Sequence, residues 1–149
     1  MRIIDMRPPR IACLLVLVAA VLHRSLDIWE GVRFSWLWGG LIPGIAGFSV
    51  MMWSWGLFKK RNIAICPKAE TTSLITDGPY RFTRNPMYLG FVLILAGLAL
   101  AVGTPPFYLS AIAYFIIINT VFCPYEERKL ANTFGAEYEQ YMRRVRRWI

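Results

Sequence analysis

Residues 36 to 58 read WLWGGLIPGIAGFSVMMWSWGLF, 23 consecutive positions without a charged side chain. At about 1.5 Å per residue a helix of this length outreaches a hydrocarbon core of about 30 Å, so lipid is the solvent it calls for. Trp36 and Trp38 at one end and Trp53 and Trp55 at the other fall where interfacial aromatic belts would lie. Pro43-Gly44 predicts a kink in its middle.

Three further apolar segments follow the same logic: Ile11 to Leu22, Tyr88 to Val102, and Pro106 to Cys123. The first and third are short, and need flanking residues or local thinning of the bilayer to span it. Of the 149 residues 56% are hydrophobic and only 17% charged, and the charges crowd into the gaps between these segments. That balance excludes a soluble domain, which would need a polar coat throughout. The predicted fold class is therefore all-α: a single membrane domain over residues 1–149, with about four transmembrane helices and an amphipathic helical tail. It divides into two N-terminal spans (1–58) and a second part (59–149) made of a long loop, a helical hairpin and the tail. A net charge of +8 could suggest nucleic acid, but the basic residues flank apolar spans without forming a stripe, and anionic headgroups account for them. Cys13, Cys66 and Cys123 are widely spaced with no CxxC pair, which argues against a metal site or a disulfide framework. The opening MRIIDMRPPR and its apolar run resemble a signal peptide, but HRSLDIWEG offers no small-x-small cleavage site, so a retained first span is expected.

Of the 17 Lys and Arg residues, only Arg24 and Arg33 fall in the gap between the first two spans, and the Gly103-Thr104-Pro105-Pro106 link carries none. The rest lie on the other side, so the positive-inside rule places both termini and the loop of residues 59 to 87 in the cytoplasm. The four-residue link forces the third and fourth spans into an antiparallel hairpin. Its mouth brings GPYRFTRNPMYLG, residues 78 to 90, close to residues 123 to 127. Beyond Glu126 the tail reads as two amphipathic helical pieces bent at Gly135, the second carrying Tyr138, Tyr141, Val145 and Trp148 at helical spacing, with Arg143 to Arg147 against headgroups.

Two groups of residues at this mouth could carry chemistry. Gly78-Pro79 signals a turn, Asn85 is a favoured N-cap and Pro86 suits the first helical position, so a capped helix start explains much of the stretch. It does not explain Arg81, Arg84, Tyr80 and Tyr88, which set two cations and two phenols around a helix N-terminus, an arrangement suited to an anion or carboxylate. Across the hairpin, Glu126-Glu127 are adjacent carboxylates unsuited to anchoring on a cytoplasmic surface. One can pair with Arg84, Arg128 or Lys129 on the surface, or receive a cationic or ribose group of a ligand. His23, the single histidine, fits no ligand spacing, and no Rossmann, Walker, GxSxG or HExxH motif is present.

LITDGPYRFTRNPMYLG, residues 74 to 90, resembles the "LvTxGpYxxxRHPxYxG" signature of the isoprenylcysteine carboxyl methyltransferase family, whose bacterial relatives also resemble phospholipid methyltransferases. Downstream, EERKLANTFGAEYEQYMRRVRRWI is similar to that family's closing "EExxLxxxFGxeYxxYxxxVxrwi". The resemblance covers roughly residues 70 to 149, with both motifs in order. It implies an S-adenosylmethionine-dependent integral-membrane enzyme acting on a lipophilic or lipidated acceptor among membrane lipids, with no nucleic acid and no metal, in a bacterial inner membrane. It also implies a cytoplasm-facing cofactor pocket lined by Leu74, Thr76, Gly78, Tyr80, Arg84, Asn85, Pro86, Tyr88, Glu126 and Glu127, with Arg84, Glu126 and Glu127 as the residues expected to act in catalysis. Two departures stand out: Asn85 replaces the family's His, and residues 119 to 125 lack the arginine that precedes the acid pair in the eukaryotic enzymes. A phospholipid N-methyltransferase, an NADPH-dependent enzyme like the sterol reductases, and a non-catalytic membrane scaffold stay open as alternatives.

Overall fold

A computed structural model describes residues 7–25, 32–61 and 73–149; Arg2, Cys66 and Lys68 lie outside the described residues. The elements are α1 (Pro8–Ser25), α2 (Leu37–Lys60), a 3₁₀ turn (Gly78–Arg81), α3 (Pro86–Val102), α4 (Pro105–Ile117), α5 (Cys123–Phe134) and α6 (Ala136–Arg144). A π turn, Ile118–Phe122, joins α4 to α5. The architecture is the expected helical membrane bundle, with no strand among the described residues. α1, α2 and the Pro105–Phe134 rod are each long and apolar enough to cross a membrane, whereas α3, with 17 residues, is apolar but shorter. Leu14, Leu17, Trp38, Ile42, Phe48 and Trp53 are among the large apolar side chains left exposed, as the lipid-facing surface of such a bundle requires.

α3 is the central helix, packed on one side against α2 and on the other against α4, while α1 lies along α4. The α2–α3 contact is antiparallel and built on glycine. A Cβ at Gly90 would stand 2.6 Å from the Gly47 carbonyl oxygen, and one at Gly97 would stand 2.5 Å from that of Gly40. Glycines seven residues apart on each helix thus face each other, letting backbones touch where lipid gives helices no hydrophobic reason to associate. On the other side of α3, Tyr88 and Leu95 join Ile11, Tyr114, Ile118, Phe122 and Cys123 in the largest buried cluster.

The α3–α4 link is the tight turn expected: Gly103 adopts φ +76°, and its amide closes α3 onto Ala99. The chain before α2 is stitched to this turn by Phe34 N–H to the Gly103 carbonyl (2.8 Å) and Trp36 N–H to the Leu100 carbonyl (2.8 Å). Two expectations need correcting. The fourth apolar helix does not end at Cys123 but continues to Phe134 as one 30-residue rod. Pro124 has no N–H and its ring would press on the preceding turn; the π turn just before it widens the helix and lets the rod continue. In the tail the bend falls at Gly135 as expected (φ +50°), but α6 stops at Arg144, and Val145 is extended. Val145 and Trp148 are therefore not on the helical face that their spacing suggested.

Candidate active site

The hairpin mouth gathers the two sequence groups as the link length required. Gly78 turns with φ +58° over Trp53 and Leu57, starting the 3₁₀ turn that buries Tyr80. Pro86 opens α3 at its first position, and Asn85 occupies the N-cap. The Asn85 side chain makes no cap bond, however. Its amide Nδ2 donates to the Arg147 carbonyl (3.3 Å), and its backbone N–H donates to Thr83 Oγ1 (3.2 Å).

One turn into α3, the Tyr88 hydroxyl donates to Glu126 Oε1 across the hairpin at 2.6 Å. Arg84 Nη2 lies 3.3 Å from Glu127 Oε1, with the two side chains 14% and 15% exposed. At such burial an ion pair is screened far less than on an open surface. The Arg84 Nε is buried and without a hydrogen-bond partner, so this guanidinium keeps a donor in hand. Beside Glu127 an open groove of about 350 Å³ runs between Pro124, Arg128, Ala131 and Met142.

The structure thus brings Arg84, Asn85, Pro86, Tyr88, Glu126 and Glu127 together around one mouth, with Tyr80 buried alongside. Leu74 instead packs against Tyr138, Tyr141 and Val145 of the tail, and Thr76 is exposed. The tail holds the mouth in place. Tyr141 donates its hydroxyl to the Tyr80 carbonyl (2.7 Å), Thr83 Oγ1 donates to the Arg147 carbonyl (2.8 Å) and the Arg84 N–H donates to the Arg146 carbonyl (3.0 Å). Tyr141→Phe leaves the Tyr80 carbonyl buried without that donor. An expected loss of about 1–3 kcal/mol of stability follows, read as a lowered melting temperature.

The buried phenols of the 3₁₀ turn and the tail have little acid character. Burial, with a smaller contribution from the Glu127 charge and opposed by Arg84, pushes Tyr138 up to about 12. Burial does the same to Tyr80 and Tyr141 more strongly, helped by Glu126 at Tyr80 and by Tyr138 at Tyr141. All three are therefore neutral hydroxyls near neutral pH.

Sequence reasoning missed Arg147. It was counted among the basic tail residues placed against headgroups, but its guanidinium turns inward onto Glu127, Nε to Oε1 at 2.9 Å and Nη2 to Oε2 at 2.5 Å. Its Nη1 reaches Asn119, 3.3 Å from Oδ1 and 3.4 Å from the carbonyl oxygen. The Glu127 hydrogen bonds raise the Arg147 pKa above the usual arginine value, against the cost of burial. Arg143, Arg144 and Arg146 are exposed, as expected. Charge alone does not separate Arg147 from these neighbours, because its partners lie 20 and 28 residues away; the available signal is the closing motif, whose "Vxrwi" sets an arginine at 147 and leaves 143, 144 and 146 open.

Residues 37–137 match the family model described as Phospholipid methyltransferase. Over 81 residues the chain is 35% identical to protein-S-isoprenylcysteine O-methyltransferase B of Arabidopsis thaliana, a match covering 52% of this chain and 40% of that protein. A probable protein-S-isoprenylcysteine O-methyltransferase of Oryza sativa subsp. japonica is 39% identical over 75 residues, covering 48% of this chain and 38% of the relative. Methanethiol S-methyltransferase 1 of Bradyrhizobium diazoefficiens is 29% identical over 90 residues, covering 60% and 30%. The chain thus spans at most 40% of the length of these relatives. No solved structure matches it.

Proposed function

The chain belongs to the phospholipid methyltransferase family, and from that premise we propose that it transfers a methyl group from S-adenosylmethionine to a nucleophilic atom of a lipophilic acceptor held in the bilayer. The observation that carries this reading is the pairing across the hairpin mouth, Tyr88 on Glu126 at 2.6 Å and Arg84 on Glu127 at 3.3 Å. It sets a cation with an unused buried donor and an acid pair around one opening.

These groups fit a zwitterionic sulfonium donor. Arg84 Nε–H offers a bond to a carboxylate, and Glu126 offers negative charge to a cation. The groove beside Glu127 gives room for a nucleoside end. When bound, S-adenosylmethionine supplies an electrophilic methyl group on a positively charged sulfur. The chain's own contribution is orientation and exclusion of water: the buried Tyr88 and Pro86 and the apolar cluster behind them keep the inner wall dry.

The two carboxylates have different surroundings. Both oxygens of Glu127 are taken by guanidinium groups, whereas Glu126 receives a neutral phenol, with Lys129 one turn along its helix. Glu126 is accordingly the carboxylate that attracts the donor's positive charge, and Glu127 is the one that holds the mouth together.

The acceptor follows from what the site lacks. With Glu127 held by two guanidinium groups and Glu126 by the Tyr88 hydroxyl, neither carboxylate is uncommitted, which favours a nucleophile that needs no base, and a carboxylate, with a reference pKa of about 3.3–3.7, is already ionised. The carboxylate of an isoprenylcysteine-like molecule meets that condition. The bias of Lys and Arg toward one side supports placing the mouth at the cytoplasmic face of a bacterial inner membrane.

Calorimetry with S-adenosylhomocysteine on the folded chain is expected to give saturable binding where NADPH gives none. Binding of NADPH alone would favour a reductase, and binding of neither would leave a scaffold. Labelled methyl groups are expected in farnesylcysteine analogues, and incorporation into lipid extract alone would transfer the proposal to phospholipid acceptors.

A further inference from the structure

Cys123 donates its N–H to the Ile118 carbonyl, five residues back, because the helix is π-wound here. The Asn119 carbonyl, which an α-helix would have paired with that N–H, is thereby released, and it accepts from Arg147 Nη1. The Asn119 side-chain oxygen takes a second contact from the same nitrogen, and the Trp148 indole N–H also donates to it at 3.0 Å. Trp148 in turn packs on Phe115, with ring centroids 5.1 Å apart. Arg147 is thus fixed from behind by the rod and directs its remaining two nitrogens onto both oxygens of Glu127, which also faces Arg84.

We infer that Arg147 is a positioning residue of the site: anchored on the π turn through Asn119, it orients Glu127, and through Glu127 the Arg84 guanidinium that faces the methyl donor. The inference rests on the methyltransferase reading and gives a role to Arg147, which lies beyond the family-model match ending at 137 and within the closing motif. Arg147 itself touches no reacting atom. Its planar fork is the feature that matters, since two parallel bonds to one carboxylate fix an angle that a single ammonium cannot.

The test is calorimetry of S-adenosylhomocysteine, with melting temperatures measured without ligand, on the full chain in phosphatidylglycerol-containing nanodiscs. Arg147→Lys keeps the charge and loses the fork. It is expected to raise Kd roughly tenfold with little change in melting temperature, as a misoriented binding group does. Arg144→Ala, on the exposed face of α6, is expected to bind like wild type. Glu127→Gln combined with Arg147→Lys is expected to be no worse than the poorer single variant, because both act through one contact. Wild-type affinity in Arg147→Lys, or weakening that merely tracks a lower melting temperature, would overturn the inference and leave the enzyme reading standing. A folded wild type that binds no S-adenosylhomocysteine would overturn both.

Discussion

Glu126→Gln is expected to lower methyl transfer by at least about a hundredfold in kcat/KM while the chain still folds, the scale seen when one preorganised electrostatic group is removed from a catalytic site. The substitution keeps shape and leaves an oxygen to accept the Tyr88 hydroxyl, which now stands 2.6 Å from Oε1. It therefore isolates charge. If Glu126 attracts the donor's cationic centre, affinity for S-adenosylmethionine and rate should fall together; if Glu126 only braces Tyr88, both should be nearly unchanged. Initial rates and the melting temperature of the same preparation decide between them. Tyr88→Phe is the companion: it removes the hydroxyl and keeps the carboxylate, so it should cost less activity than Glu126→Gln.

The largest effect on folding is expected at Gly97. A valine there must place its first side-chain carbon 2.5 Å from the Gly40 carbonyl and 2.8 Å from the Gly44 nitrogen, both backbone atoms with no room to yield. Overpacking of flexible cores costs about 1–3 kcal/mol, and with backbone on the opposing side a loss of at least about 3 kcal/mol is expected. Poor recovery of monodisperse protein in detergent, or a melting temperature many degrees lower, would show it. Gly44→Ala serves as the contrast, because nothing beyond the adjoining backbone of its own helix lies within 4 Å of a Cβ at Gly44. Wild-type behaviour of Gly97→Val would mean that α2 and α3 do not meet along these glycines.

The spans and the hairpin were legible in the sequence because hydropathy and a four-residue link act locally and leave few alternatives. Leu37–Lys60 and Pro86–Val102 lie within two residues of the apolar runs that announced them. The meeting of Tyr88 with Glu126 and of Arg84 with Glu127 followed from topology, since a hairpin must return to its own mouth. What escaped notice was relational. Gly40, Gly47, Gly90 and Gly97 are plain in the sequence, but their pairing requires knowing that α2 and α3 are adjacent. The π turn escaped because Ile118–Phe122 reads as ordinary apolar helix, and only Pro124 hints that the winding must change. Arg147 escaped because charge alone cannot distinguish an inward from an outward arginine in RRVRRWI, although the closing motif marks that position and no other of the four. Asn85 was read correctly as to place but not as to partner: its side chain ties α3 to the tail.

The unbroken rod from Pro105 to Phe134 acts as a ruler for the bilayer. Counting from its first residue, Glu126 stands 21 positions along, roughly 32 Å at an α-helical rise, which is close to one full hydrocarbon thickness. With the rod set along the bilayer normal, the acid pair falls at the depth where acyl chains give way to headgroups. A molecule anchored by a long apolar tail presents its polar end at the same depth without leaving the leaflet. For the lipophilic acceptor proposed above, helix length would then set the height at which its polar end meets the acid pair.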